Sequence, residues 1–247
     1  MLCVSLALAG LLVVRRLVPL PISDTNNAVI GITYAATYVL YGLTLGFSLY
    51  LGNQEASEAR ETVEREAANL EGIVEIAQQL PQPERDRIQE VTESYARTVV
   101  EDEWPLMGGG ANSQVSSQAE SLLDELQESV LGYEPETSAE QALYSQGMTL
   151  VFGIEDEREI RLLHSRQDSH TLLWYVLVVG AVITVLHSFF FGSKVVWLQG
   201  LSVAAMTTVI VLVLSTNYEL QAPFAGSARV EPEAFEEVLD DTQRQQL

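Results

Sequence analysis

The chain has 247 residues, 47% of them hydrophobic, and carries 34 acidic against 13 basic side chains for a formal net charge of −21. This balance excludes a nucleic-acid partner, because neutralising phosphates takes clustered lysine and arginine, and Lys194 is the only lysine. One cysteine, Cys3, leaves no disulfide framework and no thiolate metal site.

Apolar residues gather in four blocks, Leu2 to Val18, Ala28 to Leu51, Thr171 to Phe191 and Val195 to Thr216. Nearly all the charge lies between Gln54 and Asp168 or after Asn217. Weakly charged runs of roughly 17 to 25 residues are the length of a bilayer-spanning helix. The expectation is therefore a multi-pass protein of the cell membrane, with the lipid bilayer as its first partner. An acid-rich, lysine-poor surface suits concentrated salt, so the acidic part reads as halophilic.

In chain order, the first block ends at Arg15, Arg16, Pro19 and Pro21, and a short connection leads into the second, so that residues 1–52 form one transmembrane hairpin with spans of about 2–18 and 28–51. At 100° per residue, the second span carries two opposed stripes. Gly31, Ala35, Gly42 and Gly46 form a small-residue face suited to close helix packing. On the other side lie Thr33, Tyr34, Thr37, Tyr41, Thr44 and Ser48, hydroxyls that need partners or water.

The span runs without a breaker into an acidic, water-facing domain, residues 53–169. Val63, Ala67, Leu70, Val74 and Ala77 mark the buried face of its first helix, which breaks at Pro81 and Pro83. A second helix, about Glu84 to Asp102, buries Ile88, Val91, Tyr95 and Val99 and is predicted to end at Trp104-Pro105 and the glycines that follow. A third spans about Ser113 to Leu131, with Val115, Ala119, Leu122, Leu126 and Val130 inward. The fourth starts at Thr137 and Glu140, which have capping-box spacing, passes Leu143, Leu150 and Ile154, and reaches Arg166. Four helices joined by short breaks predict an antiparallel bundle. A second transmembrane hairpin, residues 170–216 with spans of about 171–191 and 195–216, and a tail, 217–247, complete the chain. The fold class is all-α: four membrane helices in two hairpins, with a water-facing four-helix bundle inserted between spans 2 and 3. The short hairpin loops hold Arg15, Arg16 and Lys194, and the positive-inside rule weights such loops, which puts the bundle and tail outside the cytoplasm.

After the last span the chain reads LQAPFAGSARVEPEAF, Leu220 to Phe235. This resembles the signature LDxPFxGxxxVxPxxF of the bestrophin-like family of membrane proteins, on Pro223, Phe224, Gly226, Pro232 and Phe235. Asn26-Asn27, Glu66-Ala67, Leu80-Pro81, Tyr95 and Glu103-Trp104-Pro105 match as well. The signature's acid after Leu220 is here Gln221. The resemblance implies a four-span protein with a helical domain between spans 2 and 3. Through the family name it points to bestrophins, pentameric anion channels that keep the corresponding region in the cytoplasm, contrary to the orientation that the hairpin loops favour.

Catalytic chemistry has no foothold. HExxH, GxSxG and a phosphate loop ending in GK are all missing from the sequence, so neither an enzyme nor a cofactor is expected. The carboxylates Glu55, Glu58, Glu61 and Glu64 read as a solvated face interleaved with Arg60 and Arg65, not as a metal site. His164 and His170 read as interfacial residues, as does His187, although an ionisable group at membrane depth is also a functional candidate. Trp104-Pro105 reads first as a plug at a helix break, and Phe224 as a buried anchor in a turn at the membrane surface. If several copies assemble around an axis, Thr37, Tyr41, Thr44 and Ser48 would line an aqueous path with no fixed charge to trap an ion. The functional expectation is a homo-oligomeric, channel-like protein with a passive path for small ions, anions by family analogy, lined by span 2. The alternative is a membrane-anchored sensor or scaffold that binds a ligand or partner through its acidic bundle, without transport.

Overall fold

The computed structural model describes residues 2–17, 24–108, 117–165, 171–190, 195–225 and 229–245. These residues are helical apart from short turns. The helices are α1 (Leu2–Leu17), α2 (Asp24–Ala77), α3 (Glu84–Thr98), α4 (Trp104–Gly108), α5 (Ser117–Leu131), α6 (Ser138–Ser165), α7 (Thr171–Ser188), α8 (Val196–Leu220) and α9 (Glu233–Gln245), with a π-helical turn, Val99–Glu103, between α3 and α4. The chain forms two compact units, Met1–Asn53 with Asp168–Gln221, and Gln54–Gln167 with Ala222–Leu247. The 54-residue α2 belongs to both.

In the first unit, Tyr41 and Leu45 of α2 pack with Leu177 and Ala181 of α7 and Ile210 of α8. Ala7 and Leu11 of α1 pack with Phe189 and with Val203 of α8. Gly180 is what lets α2 and α7 meet, since a Cβ there would lie 2.6 Å from the Tyr41 ring. Much of the rest of these helices is apolar and exposed, for example Ile32, Leu43, Leu172 and Leu212, as expected of surface that faces lipid or other copies. Among the described residues, two helices are by themselves long and apolar enough to cross a bilayer, Asn27–Ala77 and Val196–Leu220, and Leu172–Ser188 is a shorter apolar helix. The 16 residues of α1 span about 24 Å at the α-helical rise, against a hydrocarbon core of about 30 Å.

The second unit has one apolar core, built on Val63, Ala67, Leu70 and Ala77 of α2, Ile88, Val91 and Tyr95 of α3, Ala119, Leu123, Leu126 and Val130 of α5, and Val151 and Ile154 of α6. Leu122 is only half-buried, and Leu123 takes the core position beside it. Arg85 closes the end of α2 by donating to Leu80 O at 2.8 Å. At the start of α6, Glu140 N donates to Thr137 Oγ1 at 3.2 Å and the Glu140 carboxylate accepts from Glu136 N at 2.8 Å, so orphan donors of the first turn are satisfied.

Two features depart from expectation. The second bundle helix does not stop at Trp104-Pro105. It opens into a π turn in which Trp104 N donates to Val99 O, and it winds on as α4. Pro105 thereby falls in the first turn of a new α segment, where a missing N–H costs nothing. The tail also does not end in a turn alone. Pro232 precedes a further amphipathic helix, α9, whose Phe235 and Val238 complete the bundle core. The expected residues Ser113 and Val115 of the third bundle helix, Arg166, His170, Lys194 and Gly226 lie outside the described residues.

Candidate functional site

Two arrangements concentrate polar chemistry in apolar surroundings. The first lies in the bundle. Glu66 on α2, Tyr95 on α3, Glu103 on the π turn and Arg158 and Arg161 on α6 are all buried. Arg161 donates through Nε to Glu66 Oε2 at 2.6 Å, through Nη2 to Glu66 Oε1 at 3.1 Å, and again through Nη2 to Glu103 Oε2 at 3.0 Å. Arg158 Nη2 donates to Glu103 Oε1 at 2.6 Å, and Tyr95 Oη donates to Glu66 Oε1 at 2.7 Å. Two carboxylates face two guanidinium groups, so the buried charges cancel, which is what makes such burial tolerable. The π turn brings Glu103 inward while Glu101 and Asp102 stay exposed.

Aromatic rings close the cluster. The Arg161 guanidinium carbon lies 5.8 Å from the Trp104 ring centroid and 5.6 Å from that of Phe235, within cation–π range. Trp104 meets Phe224 and Phe235 edge-on at 5.6 and 5.9 Å, and its Nε1 donates to Val230 O at 3.3 Å. Gly108 allows the tail backbone to pass, since a Cβ there would lie 3.0 Å from Phe224 O. Burial alone would lower the Arg161 pKa, but the charge and hydrogen bonds of Glu66, with help from Glu103, push it above the ordinary arginine value. Burial, then the Glu66 charge, holds the Tyr95 phenol well above its usual 10.0. The cluster thus stays locked as two ion pairs and a neutral phenol, suited to holding α2, α3, α6 and the tail in register and unsuited to moving protons.

The sequence motifs converge here. Glu103, Trp104 and Phe235 lie against Arg161 and Phe224 packs on Trp104; Pro223 is buried beside Phe224, Pro232 precedes α9, and Pro105 is exposed. Arg158 and Arg161, which no sequence motif singles out, are the cluster's cationic half. Their spacing of three between Ile154 and Leu162, on the core-facing side of the helix, was the available signal.

The second arrangement is the hydroxyl stripe of α2. Two of its members are engaged inside the chain: Tyr41 is buried and its Oη donates to Leu177 O at 3.0 Å, and Ser48 is buried and its Oγ accepts from Asn217 Nδ2 at 2.8 Å. Asn217 Oδ1 in turn accepts from Gln221 Nε2 at 2.6 Å. Thr37 and Thr44 are partly exposed and donate to the carbonyls of Thr33 and Leu40, each at 2.9 Å. Thr33 Oγ1 lies 3.3 Å from His187 Nε2, and Tyr34 Oη donates to Met206 Sδ. On the small-residue face, Gly42 and Gly46 look onto open space within 4 Å, Ala35 is exposed and Gly31 is half-buried. Among the described residues, no group of three or more His, Cys, Asp or Glu is placed to hold a metal ion.

The described residues form an all-helical fold with two helices long and apolar enough to cross a bilayer, consistent with a protein of the membrane-helix class. The model of the bestrophin-like domain matches residues 1–235, and the chain belongs to the bestrophin-like family. Among solved structures it resembles two mutant forms of a bacterial bestrophin homologue from Klebsiella pneumoniae. One has a TM-score of 0.70 at 12% identity over 99% of this chain and 96% of that one. The other has a TM-score of 0.63 at 13% identity over 99% and 97%. At such identities the likeness concerns the fold. No curated protein matches the chain.

Proposed function

We propose that copies of this chain assemble in the cell membrane into a closed homo-oligomer with a passive small-ion path along α2. The observation that carries the reading is the state of Thr37 and Thr44: partly exposed hydroxyls on a bilayer-length apolar helix, with no fixed charge beside them. Having given their protons to Thr33 O and Leu40 O, both turn oxygen lone pairs outward. Lone pairs replace the hydration of a cation better than that of an anion, so the reading favours cations over the anions that family analogy implies. Tyr41 and Ser48, held by α7 and α8, position α2 instead of meeting ions. The open face at Gly42 and Gly46 supplies the surface for a neighbouring copy. Four spans with the bundle and tail outside the cytoplasm complete the proposal, the orientation resting on Arg15 and Arg16 in the last turn of α1 and on Lys194 in the sequence between the third and fourth apolar blocks.

The assembly is tested by the native mass of the detergent-purified chain and by a Cys3→Ser, Gly42→Cys variant under oxidation. A single oligomeric mass is expected, with disulfide-linked dimers because each chain carries one thiol; a monomer without cross-links contradicts the reading. Labelling of a cysteine placed at Arg244 in intact cells tests the orientation, and labelling only after lysis contradicts it.

A further inference from the structure

We infer that a cavity between α8, the end of α7 and α2 is a binding site for a lipid-soluble phenol. The cavity has a volume of about 310 Å³, at the small end of the roughly 300–1,000 Å³ typical of ligand pockets. Leu198, Ser202, Val203 and Met206 come from one face of α8, since residues four apart are neighbours on a helix. Ser188 is the last residue of α7, and Tyr34 lies on α2. Ser188 and Val203 are buried at the floor, whereas Leu198 and Ser202 are exposed at the mouth. Beside the mouth, Trp197 and Leu201 are exposed and apolar, so a ligand reaches it from the bilayer.

The hydroxyl protons on its walls are already spent inside the chain. Ser188 Oγ donates to Val185 O at 2.6 Å, Ser202 Oγ to Leu198 O at 3.0 Å, and Tyr34 Oη to Met206 Sδ. The Gln199 amide, also buried on the wall, points Nε2 at Ser188 O, 3.5 Å away. A serine hydroxyl that has given away its one proton keeps two lone pairs, so Ser188 and Ser202 offer the cavity acceptors and no donor. Ser188 is 7% exposed, and a buried acceptor gains most from a donor. No lining residue carries a charge. Tyr34 is held by stacking on Tyr38 at 6.1 Å and by the edge-on His187 ring at 5.6 Å, so the aromatic wall is already formed.

These features select the ligand. A phosphate or carboxylate head would set its oxygens against the lone pairs of Ser188 and Ser202, and an ammonium would find no counter-charge. A ketone or ether brings acceptors to acceptors, and a hydrocarbon leaves them without a donor. A neutral hydroxyl satisfies them. An aromatic ring carrying that hydroxyl also suits the walls, because it can pack on the Tyr34 ring and meet the Met206 sulfur, both favourable contacts. An alkyl substituent then runs past Leu198 to the lipid. The site lies wholly within the membrane-helix unit and does not depend on ion conduction.

Equilibrium binding of radiolabelled 4-hexylphenol to the full-length protein in detergent tests this, with protein-free micelles as background. Unlabelled 4-hexylphenol and hexylbenzene serve as competitors; hexylbenzene keeps the ring and chain but has no hydroxyl. Saturable binding of one phenol per chain is expected, with hexylbenzene at least about tenfold the weaker competitor. Ser202→Phe, which fills the mouth from an exposed position, should abolish binding, and Ser188→Ala should weaken it several-fold, both with the thermal midpoint in detergent unchanged. Absence of saturable binding overturns the proposal. So does hexylbenzene competing as well as the phenol, which marks partition onto an apolar surface, or parental affinity in Ser202→Phe.

Discussion

Arg161 grips the Glu66 carboxylate with two hydrogen bonds, at 2.6 and 3.1 Å, and both side chains are completely withdrawn from solvent. Removing one partner leaves the buried cluster with one uncompensated charge, which costs about 3–5 kcal/mol. Glu66→Met and Arg161→Met should each lower unfolding stability by that order, and the double variant should recover part of the loss. Denaturant unfolding of the full chain, followed by circular dichroism, reads all three. Single variants as stable as the parent would show that the pair does not organise the bundle.

Tyr95 gives this cluster an alkaline limit. Its phenol is held well above 10.0 in the folded chain by burial and by Glu66, whereas in the unfolded chain it ionises near its ordinary value of about 10. Above that pH the unfolded state has lost a proton that the folded state keeps, so stability falls as pH rises. Below it, Tyr95 ionisation contributes nothing. Tyr95→Phe should cost about 1–3 kcal/mol at neutral pH through the lost bond to Glu66, and the gap to the parent should narrow above about pH 10. A gap that stays constant with pH would contradict this account.

Trp104 joins the tail to the bundle through Phe224, Phe235 and the carbonyl of Val230. Trp104→Ala removes all three contacts and should destabilise the bundle by about 3–5 kcal/mol. Trp104→Phe keeps a ring and should cost less. The tail should then open to trypsin at Arg229, and a cleavage rate unchanged from the parent would argue against this attachment.

Within the membrane-helix unit, Gly180 and Gly42 make opposite demands. A methyl at Gly180 would meet the Tyr41 ring at 2.6 Å, while one at Gly42 meets nothing within 4 Å. Gly180→Ala should therefore lower the thermal midpoint of the protein in detergent, whereas Gly42→Leu should leave the single chain intact and weaken its association, read by native mass. Equal effects of the two substitutions on the midpoint would contradict the assignment of faces.

The bundle was largely legible because helical periodicity reports local burial. Val63, Leu70, Ile88, Tyr95 and Leu126 are all core residues. Motif residues from distant parts of the chain, Glu103-Trp104 and Phe224 with Phe235, could be singled out but not brought together, because linear spacing carries no information on which segments meet. Arg161 shows the same limit: its carboxylate partners lie 95 and 58 residues away, and an arginine on a charged helix looks the same whether it faces water or a buried acid. The hydroxyl stripe was visible as a stripe, yet Tyr41 and Ser48 turn toward Leu177 and Asn217, since which side of α2 a neighbour covers is set by α7 and α8. The tail helix α9 did carry its own signal, apolar residues at Phe235, Val238 and Leu239 after Pro232, in the pattern of a short amphipathic helix.

Ion flux from liposomes containing the purified protein tests the central claim most directly, under separate gradients of a small cation and a small anion. The account predicts passive flux, larger for the cation, that falls at least about tenfold when Thr37 and Thr44 are both replaced by leucine, bulky side chains without an oxygen to offer an ion. No flux above empty liposomes under either gradient, or flux that the double substitution leaves unchanged, would contradict it.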